Sequence, residues 1–300
     1  MSLGSYAEGE SSGELIFAGN ATLKLAADVN SARSYVFNGG ATAAIDTDVH
    51  TLEQGGVFSG SGTLTKTGTG TLTLTGTNTN TYSGLTTVNT GELNLNRSIG
   101  TLAVSGNLTI GDGTGGANAD VVKLQASGQI LSTAAVLING SSGQLDLNGN
   151  AQVIGSLADT GTLTANGSSV ALGTAGALTV GDATASTTFS GVISGTNGTL
   201  TKQGGGTLVL AGANTYTGTT VVNGGKLTIA SSGTLNSASA VSIGAGEFNY
   251  DSTTALVQGI SFSGTGGTLS GTGTIGTVGN TVTVASGNTH APGGVGAGGI

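Results

Sequence analysis

The sequence has 300 residues, including 58 glycines, one proline and no cysteine or tryptophan, and its formal net charge is −8. Collagen is excluded because it needs glycine at every third position and abundant proline. Binding to duplex nucleic acid is excluded because the seven lysines and arginines do not cluster. The absence of cysteine excludes disulfides, thiol catalysis and cysteine-based zinc sites.

The chain begins with a polar stretch, residues 1–13, for which we expect ragged structure. This stretch lacks the basic and apolar regions of a signal peptide. It contains a Gly-x-Ser-x-Gly string centred on Ser11. A nucleophile elbow needs a strand before the serine and a helix after it, and neither pattern is present. We therefore interpret this string as a chance match.

The strongest signal is an internal repeat. Residues 62–76 read GTLTKTGTGTLTLTG and residues 198–212 read GTLTKQGGGTLVLAG. Each continues with a tyrosine motif, NTYSG from residue 80 and NTYTG from residue 214, and then with VNTGELNL from residue 88 and VNGGKLTI from residue 222. The first copy carries two extra residues near Thr77 and Asn78. The copies cover about 56–96 and 191–230, and a partial copy begins at 262.

Alternation of apolar and polar residues recurs in short glycine-bounded segments along the rest of the chain, as in residues 106–111 and 143–149. This period of two indicates half-buried strands, and helical periodicity is nearly absent. Each unit is too small to bury its own apolar side, so stacking on neighbouring units is needed. The pattern predicts an all-β, right-handed parallel β-helix over residues 14–288, with about 12–15 turns of roughly 20–25 residues.

The end of the chain, residues 289–300, is rich in glycine and contains no evident cap. A solenoid end without a cap exposes its core and an unpaired edge. We therefore expect this stretch to be a truncated end and the chain to be a fragment of a longer protein.

The repeat resembles the passenger-associated transport repeat of autotransporters, also called the autotransporter-associated β-strand repeat. The resemblance rests on Gly-x-Leu-x-Lys-x-Gly-x-Gly-Thr-Leu-x-Leu-x-Gly, followed by Asn-Thr-Tyr-x-Gly-x-Thr-x-Val and Gly-x-Leu. It fits residues 198–229 well and residues 62–95 with the two-residue insertion. The structural residues of the motif are Leu64, Leu72, Leu74, Tyr82, Gly84, Leu93, Leu200, Leu208, Leu210, Tyr216, Gly218 and Leu227.

This resemblance implies a bacterial passenger that reaches the cell surface through the periplasm and outer membrane, with its own C-terminal outer-membrane β-barrel as partner. It implies that the repeats assist secretion and folding of a non-catalytic structural rod. Two alternatives remain open. One is an adhesin that binds host glycan or protein along the solenoid flank, and the other is a β-helix enzyme that processes polysaccharides.

We predict no catalytic, cofactor or metal residues. The Gly-x-Gly-x-x-Gly strings at residues 111–116 and 271–276 are not followed by a helix, so they are interpreted as turns. His50 and His290 lie far apart in sequence and lack acidic partners at ligand spacing. Asp112 and Asp120 flank a glycine-rich loop that is interpreted as solvated rather than as a calcium site.

Two further surface roles are considered and set aside. Threonine occupies every odd position from Thr63 to Thr81, which suggests a flat ice-binding array, but the second copy does not keep it. Strand propensity explains the threonines. An exposed row of Tyr82 and Tyr216 could bind a ligand, but stacking on the adjacent coil, with the hydroxyl satisfied at the edge, is the preferred interpretation.

Overall fold

The architecture was obtained from a computed structural model, which describes residues 13–160, 167–181, 184–276, 282 and 284–292. Within these residues, thirty strands form a β-solenoid of about 13 turns, every strand pairing is parallel, and there is no helix. None of them therefore forms a helix long and apolar enough to cross a membrane. These observations confirm the predicted all-β parallel solenoid, and its right-handed sense stays a prediction.

Each turn of the solenoid has three faces. In the described residues, face 1 carries 13 strands. Its first seven strands form one sheet and its last six form a second sheet, and the seventh strand contacts the eighth. Its strands are β2 (Ala21–Lys24), β5 (Thr42–Asp46), β8 (Thr63–Thr67), β10 (Thr86–Val88), β12 (Leu108–Ile110), β14 (Ala135–Ile138), β17 (Ser156–Asp159), β20 (Thr187–Phe189), β23 (Thr207–Leu210), β25 (Lys226–Ile229), β27 (Glu247–Tyr250), β29 (Thr268–Gly271) and β30 (Thr289–Pro292).

Face 2 carries one sheet of eight strands in the first two thirds of the chain. Its strands are β3 (Val29–Ser31), β6 (Thr51–Gln54), β9 (Thr71–Gly76), β11 (Gly91–Arg97), β13 (Asp120–Leu124), β15 (Gly143–Asp146), β18 (Ser169–Thr174) and β21 (Val192–Thr196). Beyond β21 this face continues in less regular backbone, because the amides of Thr215, Tyr216 and Thr217 bond to carbonyls of β21.

Face 3 has two separate sheets, with irregular backbone between them in the coils around Tyr82, Val104 and Ile130. Its strands are β1 (Leu15–Phe17), β4 (Tyr35–Phe37), β7 (Phe58–Gly60), β16 (Ala151–Ile154), β19 (Ala177–Val180), β22 (Thr199–Lys202), β24 (Thr220–Val222), β26 (Val241–Ile243) and β28 (Ile260–Phe262).

The core is a continuous column of apolar side chains along the solenoid axis. In the strands, alternate residues point inward and stack on their register partners about 4.8 Å away. Leu72, for example, pairs with Leu52 below and Leu93 above, and all three are fully buried. Aromatic rings fill the first coils, where the rings of Tyr35 and Phe58 stack with centroids 5.0 Å apart.

The coils differ in length. Leu208 pairs with Leu227, 19 residues further on, whereas Leu93 pairs with Val122, 29 residues further on. The extra residues of the long coil lie in the glycine-rich loop before β13. The strands on either side of this loop therefore keep their register.

The end of the solenoid differs from the predicted boundary. The last described strand, β30, pairs with β29 from Thr289 to Pro292, so the coil continues past residue 288. Alternation is weak there, and this is why the composition alone suggested an irregular end. Most of the predicted ragged N-terminal stretch, 1–13, and the remainder of the glycine-rich end lie outside the described residues.

Candidate functional site

The leucines of the repeat line the interior in both copies. Each lies in a strand of β8, β9, β11, β22, β23 or β25, and each is almost completely buried: Leu64, Leu72, Leu74, Leu93, Leu200, Leu208, Leu210 and Leu227. One copy spans two consecutive coils. The two copies start on different faces, because β8 belongs to face 1 and its counterpart β22 belongs to face 3.

The lysine of the first copy is buried inside the solenoid. Lys66 occupies an inward position of β8 and stacks between Ile45 and Val88. Its ammonium nitrogen reaches the corner after β8 and donates hydrogen bonds to the carbonyl oxygens of Thr67 (3.0 Å) and Gly68 (2.8 Å). A third bond, 3.0 Å long, goes to Thr90 O in the next coil. Burial lowers the pKa of Lys66 to about 8, so the ammonium form still predominates at neutral pH.

The second copy repeats this arrangement on another face. Lys202 stacks between Val180 and Val222, and its ammonium donates to the carbonyl oxygens of Gln203 (2.6 Å), Gly204 (3.1 Å) and Gly224 (3.5 Å). Burial lowers the pKa of Lys202 as well. An ammonium has three donors and no acceptor, so three converging carbonyls match it.

The tyrosines of the repeat are fully buried and do not form an exposed row. The Tyr82 hydroxyl lies 2.5 Å from Thr86 Oγ1, and the Tyr216 hydroxyl lies 2.6 Å from Thr220 Oγ1. These hydroxyls are therefore satisfied in the interior, by an inward threonine, and not at the edge of the solenoid as we had expected. Burial raises the pKa of Tyr216 to about 12 and that of Tyr82 further.

The asparagine two residues before each tyrosine joins consecutive coils. Asn80 Oδ1 accepts from the Phe58 amide (2.8 Å), and its Nδ2 donates to Ala103 O (2.8 Å) in the following coil. Asn214 likewise accepts from the Ile193 amide (3.0 Å) and donates to Thr234 O (3.1 Å). Because both asparagines are buried, these bonds replace their lost hydration.

The glycine two residues after each tyrosine is needed for close packing of backbones. A Cβ added to Gly84 would lie 2.0 Å from Gly62 O, and one added to Gly218 would lie 2.3 Å from Gly198 O. Neither glycine has a positive φ. Glycine is thus needed at these positions because the backbone of the preceding coil lies too close to leave room for a Cβ.

Six buried polar residues of the repeat were not predicted from the sequence: Lys66, Lys202, the two asparagines and the two inward threonines. A signal for the lysines was available, because in both copies the lysine lies two residues after an inward leucine, Lys66 after Leu64 and Lys202 after Leu200. Parity alone places the lysine inward. The usual preference of lysine for solvent argued against that placement.

Of the residues weighed as candidates for other chemistry, the two histidines lie apart, whereas Asp112 and Asp120 are neighbours. His50 Nδ1 is 3.6 Å from Asp28 Oδ1 near β6, whereas His290 lies in β30. Asp112 accepts from Thr114, and the amide of Asp112 donates to Asp120 Oδ2 at 3.4 Å. In the described part of the chain, no group of three or more histidine, aspartate or glutamate side chains converges as a metal site.

The two glycine strings lie at turns next to strands: residues 111–116 precede β13, and residues 271–276 begin at the last residue of β29. The string centred on Ser11 begins before the described residues, and Ser11 itself lies outside them.

Comparison with known proteins agrees with the geometry of the repeat. The family model of the passenger-associated transport repeat matches residues 64–95 and 200–229, within the two predicted copies. The partial copy from residue 262 stays a prediction. No solved structure matches the chain.

A curated relative is the adhesin BmaC autotransporter of Brucella suis biovar 1 (strain 1330). It is 38% identical over 142 residues, which are 45% of this chain and 4% of the relative. The aligned segment is thus a small part of the relative's length. Together, the two matches identify residues 64–95 and 200–229 as passenger-associated transport repeats, and they support an autotransporter passenger domain as the setting of this solenoid.

Proposed function

We propose that this chain is a non-catalytic structural segment of a surface passenger, in which the repeats assist secretion and folding of the rod. In the full protein, a C-terminal outer-membrane β-barrel would be its export partner. The observation that carries the proposal is the two-coil construction of the repeat, in which buried lysine and asparagine side chains of one coil bond to the backbone of the next.

This construction supports a folding role for a physical reason. In a solenoid each coil is stabilised mainly by its neighbours, so folding can propagate from one coil to the next. A repeat that ties two coils together stabilises a short nucleus within the rod. Coils without the motif can then add to an edge that is already formed.

The proposal is tested with Leu208→Asp in the intact parent protein. Burial of a leucine contributes roughly 1.5–3 kcal/mol. The substitution removes this and places an unpaired carboxylate in the core. We expect lower display at the cell surface and higher sensitivity to protease, measured by surface labelling and limited proteolysis.

Val209→Asp is the matched control, because Val209 lies next to Leu208 on β23 but points outward. Thr73→Asp, outward on β9, is a second control. Both should be displayed like the wild type. Display and protease resistance of Leu208→Asp at the wild-type level would contradict both the structural role of Leu208 and the coupling of folding to export.

Adhesion is a second candidate function, favoured by the name of the relative, which is an adhesin. A groove of about 360 Å³ crosses face 3, and no charged residue lines it. Its apolar lining includes Leu102, Ile130 and Leu131. Replacing Val153, an outward residue of β16 that lines the groove, by aspartate should reduce binding to host cells, with surface display unchanged, if this groove contacts a host ligand.

A further inference from the structure

The buried lysine of each repeat connects two separate corners. Two of its carbonyl partners belong to the corner that directly follows its own strand, Thr67 and Gly68 in the first copy. The third partner, Thr90, belongs to the corresponding corner one coil later. Lys202 makes the same connection, with Gly224 as the partner in the next coil.

The third carbonyl comes from a specific part of the motif. Thr90 and Gly224 each precede a glycine with positive φ, Gly91 (φ 77°) and Gly225 (φ 58°). Residues with a side chain rarely adopt a positive φ, whereas glycine adopts it without strain. The Gly-x-Leu-x-Lys half of the repeat therefore supplies the cation, and the Val-Asn-x-Gly half supplies an acceptor for it in the next coil.

The cage that surrounds Lys202 consists of neutral groups. All three hydrogen bonds of its ammonium go to backbone oxygens, and within the described residues it forms no ion pair. Carbonyl oxygens placed this way recognise N–H donors by number and direction as well as by charge. A quaternary ammonium of the same charge has no such donors.

We propose that the corner of each repeat is a built binding site for a primary ammonium group, which the repeat lysine fills to lock two consecutive coils in register. This inference deepens the folding role proposed above and depends on it only for the link to export. The experiments use the purified 300-residue chain, so their failure would leave the export test unaffected.

The first experiment is chemical rescue of Lys202→Ala. The atoms removed, three methylene carbons and the ammonium, correspond to n-propylammonium. We expect the variant to have a lower Tm than the wild type. Added n-propylammonium should raise this Tm by about 2–4 °C in a saturable manner, because a ligand that binds only the folded state stabilises it.

Two additives and one variant are the controls. n-Propanol has a similar shape without the charge, and tetramethylammonium has the charge without N–H donors. Neither should reproduce the rescue. Lys226→Ala, which removes an outer lysine paired with Glu247 at 2.9 Å, should show no response specific to n-propylammonium. Equal effects of all three additives on Lys202→Ala would overturn the ammonium site.

If Lys202→Ala does not fold, Lys202→Met keeps an apolar stem of the same length, with sulfur in place of one methylene, and removes the ammonium. We then expect amide hydrogen exchange in residues 223–226 to be about tenfold faster than in the wild type, with exchange in β23 unchanged. Lys226→Met is the control. Unchanged exchange at this corner in Lys202→Met would contradict the lock between coils.

Discussion

Tyr216 illustrates how the repeat places a polar atom in an apolar core. Its ring fills space between coils, and its hydroxyl bonds to Thr220 Oγ1, which is also 3.2 Å from Ser239 Oγ. Thr220 occupies an inward position that holds leucine one coil below, at Leu200, and valine one coil above, at Val241. The threonine is thus retained where an aliphatic residue would otherwise pack, because the tyrosine hydroxyl requires a partner.

Tyr216→Phe should lower the free energy of unfolding by about 1 kcal/mol at neutral pH, because one buried hydrogen bond is lost. It should also change the dependence on pH. The pKa of Tyr216 is about 12 in the folded chain, against 10.0 ordinarily, so the unfolded chain loses this proton first. Stability from this group is therefore complete below pH 10 and is lost as the pH rises towards 12.

The measurement is denaturant unfolding of wild type and Tyr216→Phe between pH 8 and 11. The comparison between the two is needed because Lys66, with its lowered pKa, contributes stability that rises with pH over part of this range. The wild type should lose stability above pH 10 more steeply than the variant. Parallel curves would show that Tyr216 titrates alike in the folded and unfolded chains.

At this scale the sequence predicts inward residues well where they are apolar. The leucines stand out because leucine and threonine alternate, and strand parity then fixes their side. The buried lysines and asparagines were not predicted. Their burial depends on carbonyl groups of a neighbouring coil, and a single sequence does not show which residues that coil brings to the corner.

Among the elements, the corners impose tighter limits than the strands. At Gly218, the backbone of the coil beneath approaches so closely that a Cβ would meet Gly198 O at 2.3 Å. A strand residue that points outward meets no such limit. Substitutions at corners therefore act on the spacing between coils, whereas most outward strand substitutions act only on the surface.

Gly218→Ala should destabilise the chain by about 1–3 kcal/mol, because the added carbon forces two backbones apart. Gly205→Ala is the matched control: its added carbon has no contact closer than 3.9 Å, and its φ is not positive. That change should be nearly neutral. Thermal unfolding of the two variants makes the comparison, and equal Tm values would show that the corner at Gly218 can relax without cost.

The two-residue insertion of the first copy has a structural counterpart. Arg97 is buried at the end of β11, and its guanidinium donates to Asn78 O within the insertion and to Gly56 O two coils down, each at 2.6 Å. The equivalent residue of the second copy is Ser231, and that copy lacks the insertion. The insertion can be located from the sequence. The hydrogen bond between Arg97 and Asn78 cannot, because it depends on how the coils stack.

For the whole molecule, stability should be nearly one-dimensional, because each coil contacts mainly its neighbours. Removing one complete coil, residues 226–246, would join Gly225 to Glu247 and place β27 on β23. We expect this deletion to fold with a lower Tm. Removing residues 226–236 alone takes out about half a coil, so each strand after the deletion would have to lie on a face of the solenoid other than its own.

Far-UV circular dichroism and thermal unfolding distinguish the two deletions. The complete-coil deletion should keep a β spectrum and a cooperative transition, and the half-coil deletion should lose the transition. Similar behaviour of both deletions would contradict the complete coil as the unit of stability. The number of turns was predictable from an average coil length, whereas the face on which each copy begins was not, because coil lengths differ, for example 19 residues from Leu208 to Leu227 and 29 from Leu93 to Val122.

The two copies begin on different faces, and this fixes the directions in which the rod presents equivalent surfaces. A loop at the same place in both copies projects to different sides of the axis, so a flat partner that lies along one side meets only one of them. A ligand that required both would have to wind around the rod. The internal locks join only neighbouring coils, so loops between the copies are free to lengthen or shorten while the strands on either side keep their register, as they do around the glycine-rich loop before β13.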